Sequence, residues 1–199
     1  FGSGGVCATG EGNSVFGDGA ILGGNTGSTD TGLAAQYNVN YNNTELVLNA
    51  LVQGNSSLTH AGTGTLILDQ ANTATGALGI TNAGAVVQLG TEAKAGQWAG
   101  TVLNGEGTLK IVNGALTSAM TRAEGATAAI VVDSAASVNL GGTDGSMLKG
   151  ITLAAGGRLA NVSGDITVGA GATETLNLTL GADNINQDAA GAAIIDQGD

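Results

Sequence analysis

Aliphatic residues return at a nearly constant interval along the middle of this chain, and that interval limits the folds open to it. One column consists of Leu66, Val87, Leu109 and Val131, which are separated by 21, 22 and 22 residues. A small residue stands two positions before each member. Periods of roughly 20–50 residues are typical of proteins built from stacked coils. We therefore predict that equivalent residues of successive coils lie above one another.

Two all-β arrangements accommodate short strands of this kind. In an antiparallel sandwich turns recur about every 8–12 residues, which gives no reason for a longer repeat. In a parallel β-helix each strand stacks on its counterpart in the next coil, so like residues recur once per coil. The columns therefore favour an all-β parallel β-helix, a solenoid with coils of about 21–22 residues.

Composition agrees with a chain made of strands and tight corners. The 199 residues include 36 glycines and no proline. Proline would remove a hydrogen-bond donor from a strand, whereas glycine suits corners that need unusual backbone angles. No stretch shows a sustained apolar stripe at helical spacing, so we expect almost no helix. The predicted strands are 44–48, 51–52, 65–68, 85–89, 108–112, 129–132, 137–140, 151–153, 166–168 and 175–180.

The density of strand-forming residues divides the chain into three parts. We expect irregular N-terminal coils or a cap over residues 1–36, the β-helix over 37–182, and a C-terminal cap or tail over 183–199. The chain opens at Phe1 within Gly- and Ser-rich sequence and without a secretory leader. We therefore expect that a leader has been removed or that this is part of a longer protein.

Charge and apolar content exclude several classes of partner. The net charge is −11 with only five Lys and Arg residues, whereas nucleic acids and anionic lipids bind clustered basic residues. The sequence contains no apolar run long enough for a transmembrane helix, so we expect no membrane insertion by this segment. Cys7 is the single cysteine, which excludes an intrachain disulfide; we expect it to be a buried or incidental residue.

Residues 62–90 carry a motif that resembles a known family. Its first half reads G-T-G-T-L-I-L and N-T-A-T-G, and its second half approximates I-x-x-x-G-x-x-V-x-L-G. This pattern is similar to the autotransporter-associated β-strand repeat, although Gln70 stands where that family usually has Gly and Ala74 where it has Tyr. The matching positions are Gly62, Gly64, Thr65, Leu66, Leu68, Asn72, Thr73, Thr75, Gly76, Ile80, Gly84, Val87, Leu89 and Gly90.

The resemblance implies a fold and a cellular setting, and it implies no reaction. Members of that family are right-handed β-helical passengers of bacterial proteins at the cell surface, in the outer membrane or secreted. They include adhesins, biofilm matrix proteins and some hydrolases with inserted domains, without a shared catalytic site. A function must therefore come from residues displayed on the shaft.

Side chains able to support catalysis are few. His60 is the only histidine, so a Ser-His-Asp relay would have to use it with Asp69 or Asp30. A solvated position at a strand edge is the alternative that we favour for His60. One histidine and one cysteine are too few for a zinc site of the usual kind.

Carboxylates offer the one other source of reactive groups. Asp144 and Asp165 lie 21 residues apart, which in this repeat predicts neighbouring positions on one edge, with Glu124 a further coil away. Such a pair could act as a catalytic dyad of an aspartic-type hydrolase or glycosidase, or hold Ca²⁺. We favour a solvated edge, and expect no cofactor other than this possible Ca²⁺.

Aromatic residues are scarce, and three of them raise the question of sugar binding. Tyr37, Tyr41 and Trp98 could stack on carbohydrate if they were exposed. Packing at coil corners or caps is the interpretation we favour, because five aromatic residues in the chain are too few for an extended platform.

The sequence predicts a non-enzymatic stalk or adhesin segment of an extracellular, autotransporter-like surface protein. Its partners would be glycans or glycoproteins of a host or a neighbouring cell. One alternative is a filament or matrix subunit that assembles end to end through unpaired strand edges. Another is a secreted hydrolase that acts on a host glycoprotein such as mucin, with Asp144 and Asp165 as the first residues to test.

Overall fold

The protein is an all-β parallel solenoid, as the repeat interval predicts. The structure, a computed structural model, describes residues 36–134, 136–153 and 159–164, together with short strands closer to the two ends. Every named strand pair runs parallel. The right-handed winding that the resemblance implies stays a prediction.

Successive coils contribute strands to three sheets that run along the shaft. Sheet 1 contains β1 (Gly4–Ala8), β4 (Gln36–Tyr41), β7 (Ser57–His60), β9 (Leu78–Ile80), β12 (Val102–Gly105) and β15 (Thr121–Arg122). Sheet 2 contains β2 (Ser14–Phe16), β5 (Glu45–Leu48), β8 (Thr65–Leu68), β10 (Val86–Leu89), β13 (Thr108–Ile111), β16 (Ala129–Ser134), β18 (Leu148–Leu153) and β21 (Leu178–Thr179). Sheet 3 contains β11 (Gly96–Trp98), β14 (Gly114–Leu116), β17 (Val138–Asp144) and β19 (Leu159–Ser163).

Two further pairs complete the described strands. The strand β3 (Ile21–Gly23) pairs with β6 (Leu51–Gln53), and β20 (Ile166–Val168) pairs with β22 (Ile195–Gln197). Three strands within the segment predicted to be irregular, β1 to β3, thus pair with strands of the next coil. The boundaries at residues 36 and 182 stay predictions.

The predicted aliphatic column runs through sheet 2, with one correction. Leu66 is the register partner of Val87, and Val87 is the partner of Leu109. The next partner is Ile130, which is fully buried, and not Val131, which pairs with Lys110 and is partly exposed. The assignment of Val131 was wrong by one residue because Ile130, Val131 and Val132 form an unbroken aliphatic run, which leaves the phase of the repeat ambiguous.

The core is the space enclosed by the three sheets. Alternate residues of each strand point inward, as in β4, where Tyr37, Val39 and Tyr41 are buried and the residues between them are exposed. Leu58 and Leu78 continue the Tyr37 column along sheet 1. Burying these side chains is the main stabilising contribution available to such a shaft.

Side chains replace backbone hydrogen bonds where a coil lacks a strand on the third face. Between β8 and β9 the chain forms one bridge, Ala71 to Gln97, in place of a strand. There the buried Asn72 accepts a hydrogen bond at Oδ1 from the Val52 N–H (2.8 Å), and its Nδ2 donates to the Gln70 carbonyl (3.1 Å). Asn72 therefore keeps the stack continuous where backbone pairing stops.

The regular stacking changes beyond β16. The pairing of β16 with β18 shifts between Ile130 and Val131, and that of β17 with β19 shifts between Asn139 and Thr143. A short 3₁₀ helix, Gly145–Met147, separates β17 from β18 and is the only helical element among the described residues. Intervals read from the regular coils therefore do not carry over to this region.

Candidate functional site

Asp144, the first member of the predicted carboxylate pair, is an exposed residue at the start of the 3₁₀ helix. Its Oδ1 accepts a hydrogen bond from the Ser146 N–H at 2.8 Å, which is the usual role of an aspartate at a helix N-cap. Asp165 lies outside the described residues, so its pairing with Asp144 stays a prediction. The same holds for a Ca²⁺ ion at these two positions.

The described register does not support the interval on which that pair was based. The Cα partner of Asp144 is Ser163, two positions before Asp165, because the strand pairing shifts between Asn139 and Thr143. Gly164 approaches Asp144 closely, since a Cβ added there would lie 3.2 Å from Oδ1.

Glu124 does not stand at the equivalent position of the preceding coil. The Thr143 hydroxyl accepts a hydrogen bond from the Met120 N–H at 2.9 Å, which places Asp144 over the segment at Met120. Glu124 lies farther along the chain, in an exposed turn after β15. The expected row of three stacked carboxylates is therefore wrong with respect to Glu124.

His60 is inside the core and not at a solvated edge, which corrects the sequence-based expectation. It is the register partner of Val39 and Ile80 and has no solvent exposure. Its Nε2 lies 2.8 Å from the Gly64 carbonyl, and its Nδ1 lies 3.3 Å from the Val39 carbonyl. Since both ring nitrogens face backbone oxygens and not a carboxylate or hydroxyl, His60 is not part of a catalytic relay with Asp69.

The three aromatic residues considered for sugar binding are buried. Tyr37 and Tyr41 point inward from β4, and Trp98 has no solvent exposure in β11. The Trp98 Nε1 has no hydrogen-bond partner, and a Cβ on Gly100 would lie 2.5 Å from it. Packing is thus the role of these side chains, as favoured from the sequence.

Neither a metal centre nor a membrane span is found in the described part of the chain. Within residues 36–134, 136–151 and 159–164, no three His, Cys, Asp or Glu side chains lie close enough together to hold a metal ion. No helix in the described residues has the length and apolarity needed to cross a bilayer.

The most concentrated polar group on the described surface was not predicted from the sequence. We call it the corner cluster, and it consists of Asn49, Asp69, Gln70 and Lys94. Asn49 and Asp69 directly follow the register partners Leu48 and Leu68, so they occupy the same corner of successive coils. Lys94 comes from a loop after β10 that begins at Gly90, whose positive φ of 71° suits glycine.

Lys94 folds back across two coils to reach this corner. Its Nζ lies 3.0 Å from Asp69 Oδ2 and 3.0 Å from Asn49 Oδ1. Gln70 donates from Nε2 to Asn49 Oδ1 in a short hydrogen bond and contacts Asp69 Oδ1 at 3.4 Å. The Asp69 side chain is 12 % exposed and that of Lys94 is 46 % exposed, so an amine, a carboxylate and two amides meet at a half-covered corner.

A second ion pair on the shaft provides a comparison. Lys110 Nζ lies 2.7 Å from Asp133 Oδ2, with both side chains more than 30 % exposed. No side-chain amide is found in hydrogen-bond contact with Lys110. The corner cluster therefore differs from an ordinary surface ion pair, which contributes little to stability.

Half of the corner cluster was accessible from sequence. Once Leu46 and Leu66 are placed in one column, Asn49 and Asp69 follow at the same distance from it. Lys94 was not accessible, because its position depends on the path of the loop between Thr91 and Lys94, which closes on itself through paired backbone hydrogen bonds.

No family model matches this sequence, and no curated protein or solved structure does either. The resemblance over residues 62–90 therefore stays a prediction. Function has to be inferred from the stacked coils and from the side chains on their surface.

Proposed function

We propose that this chain is a structural shaft, a stalk or adhesin segment, of an extracellular bacterial surface protein of the autotransporter type. The observation that carries the proposal is the unbroken parallel pairing of sheet 2 from β2 to β18. A stack of this kind grows in length by adding coils, and each coil contacts only its neighbours. Eight strands at about 4.8 Å spacing extend this sheet by roughly 34 Å.

Corner side chains add bonds that run in the same direction as the sheet hydrogen bonds. The hydroxyl of Thr75 donates to the Gly54 carbonyl at 3.2 Å, and that of Thr121 donates to the Thr101 carbonyl at 3.2 Å. Both bonds link residues 20 or 21 positions apart, which is one coil. Such contacts fix the corners of successive coils and favour a stiff rod.

The exposed side of sheet 1 favours contact with neutral, polar partners. Asn38 and Asn40 of β4 and Asn104 of β12 are exposed, and Thr59 of β7 is partly exposed. Amide and hydroxyl groups of this kind hydrogen-bond to uncharged polar ligands without ionic attraction. Glycans or glycoproteins of a host or a neighbouring cell are therefore the class of partner that we propose.

Location on intact cells tests the proposed setting. Antibodies against this chain are expected to label the outer surface of unpermeabilised cells of the source organism, or to detect the chain in the culture medium. Labelling that requires permeabilisation would contradict an extracellular shaft. An antibody against a known cytoplasmic protein is the control for cell integrity.

Shape and assembly in solution test the rod itself. Small-angle scattering with light scattering is expected to give an elongated monomer. Fibres by negative-stain imaging would favour the filament alternative, in which the end coils pair with a second copy. A compact particle with equal axes would contradict both.

A further inference from the structure

We propose that Lys94 and Asn49 form an intramolecular isopeptide bond that covalently links the loop after β10 to a corner two coils away. The observation behind the proposal is the corner cluster, which brings together a nucleophile, an amide electrophile, a proton acceptor and a hydrogen-bond donor. The proposal does not depend on the proposed function, because it follows from the contacts of these four side chains.

The amine is close to the carbon that it would attack. Lys94 Nζ lies 3.0 Å from Asn49 Oδ1, and a carbonyl bond is about 1.2 Å long, so Asn49 Cγ lies within about 4.2 Å of the amine. Reactive geometry in proteins requires about 3–3.5 Å between the reacting atoms, which a small movement of the lysine provides. Holding both groups on one rigid shaft replaces an encounter between separate molecules.

Asp69 and Gln70 are placed for the two auxiliary roles. The Lys94 ammonium has to lose a proton before it attacks, and Asp69 Oδ2 at 3.0 Å is placed to accept it. Gln70 already donates to Asn49 Oδ1, which becomes the negatively charged oxygen of the tetrahedral intermediate. Asp69 is mostly covered and held by Gln70, so its position is fixed with respect to the amine.

The reaction balances without any oxidant, reductant or further reactant. The bond from Lys94 Nζ to Asn49 Cγ forms and the bond from Cγ to Nδ2 breaks. Asp69 takes a proton from Nζ and returns it to the departing nitrogen, which leaves as ammonia and becomes ammonium in water. The products are a secondary amide and one released ammonium ion. Lys94 is 46 % exposed, which leaves a route for the ammonia to depart.

Intact-mass spectrometry of the purified, folded chain tests the bond. We expect the chain to be lighter than its sequence mass by one ammonia molecule. Digestion with a glutamate-specific protease cuts after Glu45, Glu92 and Glu106, which separates Asn49 and Lys94 into peptides 46–92 and 93–106. We expect these two peptides to remain joined as one branched product.

Three variants assign the roles. Lys94→Arg keeps the charge and the donors but removes the nucleophile, and Asp69→Asn removes the proton acceptor; both are expected to keep the full sequence mass. Lys110→Arg, at the comparison ion pair, is expected to show the same mass loss as the unmodified chain. Circular dichroism confirms that each variant is folded before its mass is interpreted.

Two results would overturn the proposal. One is the full sequence mass and two separate peptides from a chain shown to be folded. The other is the loss of one water molecule in place of ammonia, because this would mean that Lys94 reacts with the carboxyl group of Asp69 and that Asn49 is not the electrophile.

Discussion

At the scale of single residues, the interior of this shaft accepts polar side chains where backbone oxygens are available to them. His60 occupies an inward position between Val39 and Ile80 and contacts two carbonyls. Trp98 is as deeply buried, but its N–H has no partner. Replacing these two residues should therefore have different consequences for stability.

Replacing His60 by leucine should be tolerated better than replacing it by alanine. Both carbonyls keep a backbone donor without the ring, since Ala61 N–H donates to Val39 (2.7 Å) and Val86 N–H to Gly64 (3.3 Å). We expect His60→Leu to lower the free energy of unfolding by less than about 1.5 kcal/mol. His60→Ala leaves a cavity and should cost about 2–5 kcal/mol. Urea titrations measure both; equal costs would show that the ring hydrogen bonds outweigh packing.

Replacing Trp98 by phenylalanine should cost much less than truncating it. Phenylalanine keeps most of the ring and removes a buried donor that has no acceptor, which is itself unfavourable by about 1–3 kcal/mol. Trp98→Ala should lower the free energy of unfolding by about 3–5 kcal/mol. Thermal unfolding followed by circular dichroism compares the two variants. Similar losses for both would indicate that the indole N–H is bonded in solution.

At the scale of strands and corners, the close approach of successive coils decides where a side chain fits. Gly107 precedes β13, and a Cβ there would lie 2.7 Å from the carbonyl oxygens of Asn82 and Ala85 and closer still to Ile80. Gly84 lies one coil earlier in an open turn, where a Cβ would meet nothing within 4 Å. The two glycines form a matched pair with opposite expected effects.

Alanine at Gly107 and at Gly84 should change stability in opposite directions. Gly107→Ala forces backbone atoms apart and should lower the free energy of unfolding by about 1–3 kcal/mol. Gly84→Ala meets no obstacle and restricts the unfolded chain, so it should raise that free energy by about 0.4–1 kcal/mol. Chemical denaturation of both variants tests this difference. A loss at Gly84 equal to that at Gly107 would refute the steric explanation.

At the scale of the whole molecule, stability is shared among neighbouring coils and has no single centre. Leu66 and Val87 occupy equivalent positions of adjacent coils, so removing the residues between them should leave the remaining coils able to stack. This property separates a solenoid from a domain with one globular core, in which no internal segment can be removed without exposing apolar surface.

Deleting residues 66–86 should therefore give a folded, shorter shaft, because the cut joins Thr65 to Val87 in register. We expect a β-sheet circular dichroism spectrum and cooperative thermal unfolding at a lower temperature. Deleting residues 66–76 is the control, since it removes half a coil and brings strands of different sheets together. If the half-coil deletion folds as well as the full one, register between coils is not required.

The repeat interval was sufficient to predict the fold class and the strands of sheet 2, because parallel coils place residues 21 or 22 positions apart in the same environment. The strands of sheets 1 and 3 were largely missed, since β7, β9 and β11 are short and contain Ser, Gly and Gln among their apolar residues. Leu58 and His60 share the parity of an inward-facing strand, so the burial of His60 was within reach. The carboxylate pair at Asp144 was inferred from an interval that the strand irregularities after β16 alter.

The parallel ladders also determine how this shaft responds to load. Their hydrogen bonds point along the axis, so tension applied to the two ends opens them one row at a time instead of shearing many at once. Each released coil of 21 residues frees roughly 70 Å of extended chain while the folded part shortens by only about 5 Å. Pulled from a surface, such a protein would lengthen in steps at nearly constant force and dissipate energy before its attachment fails.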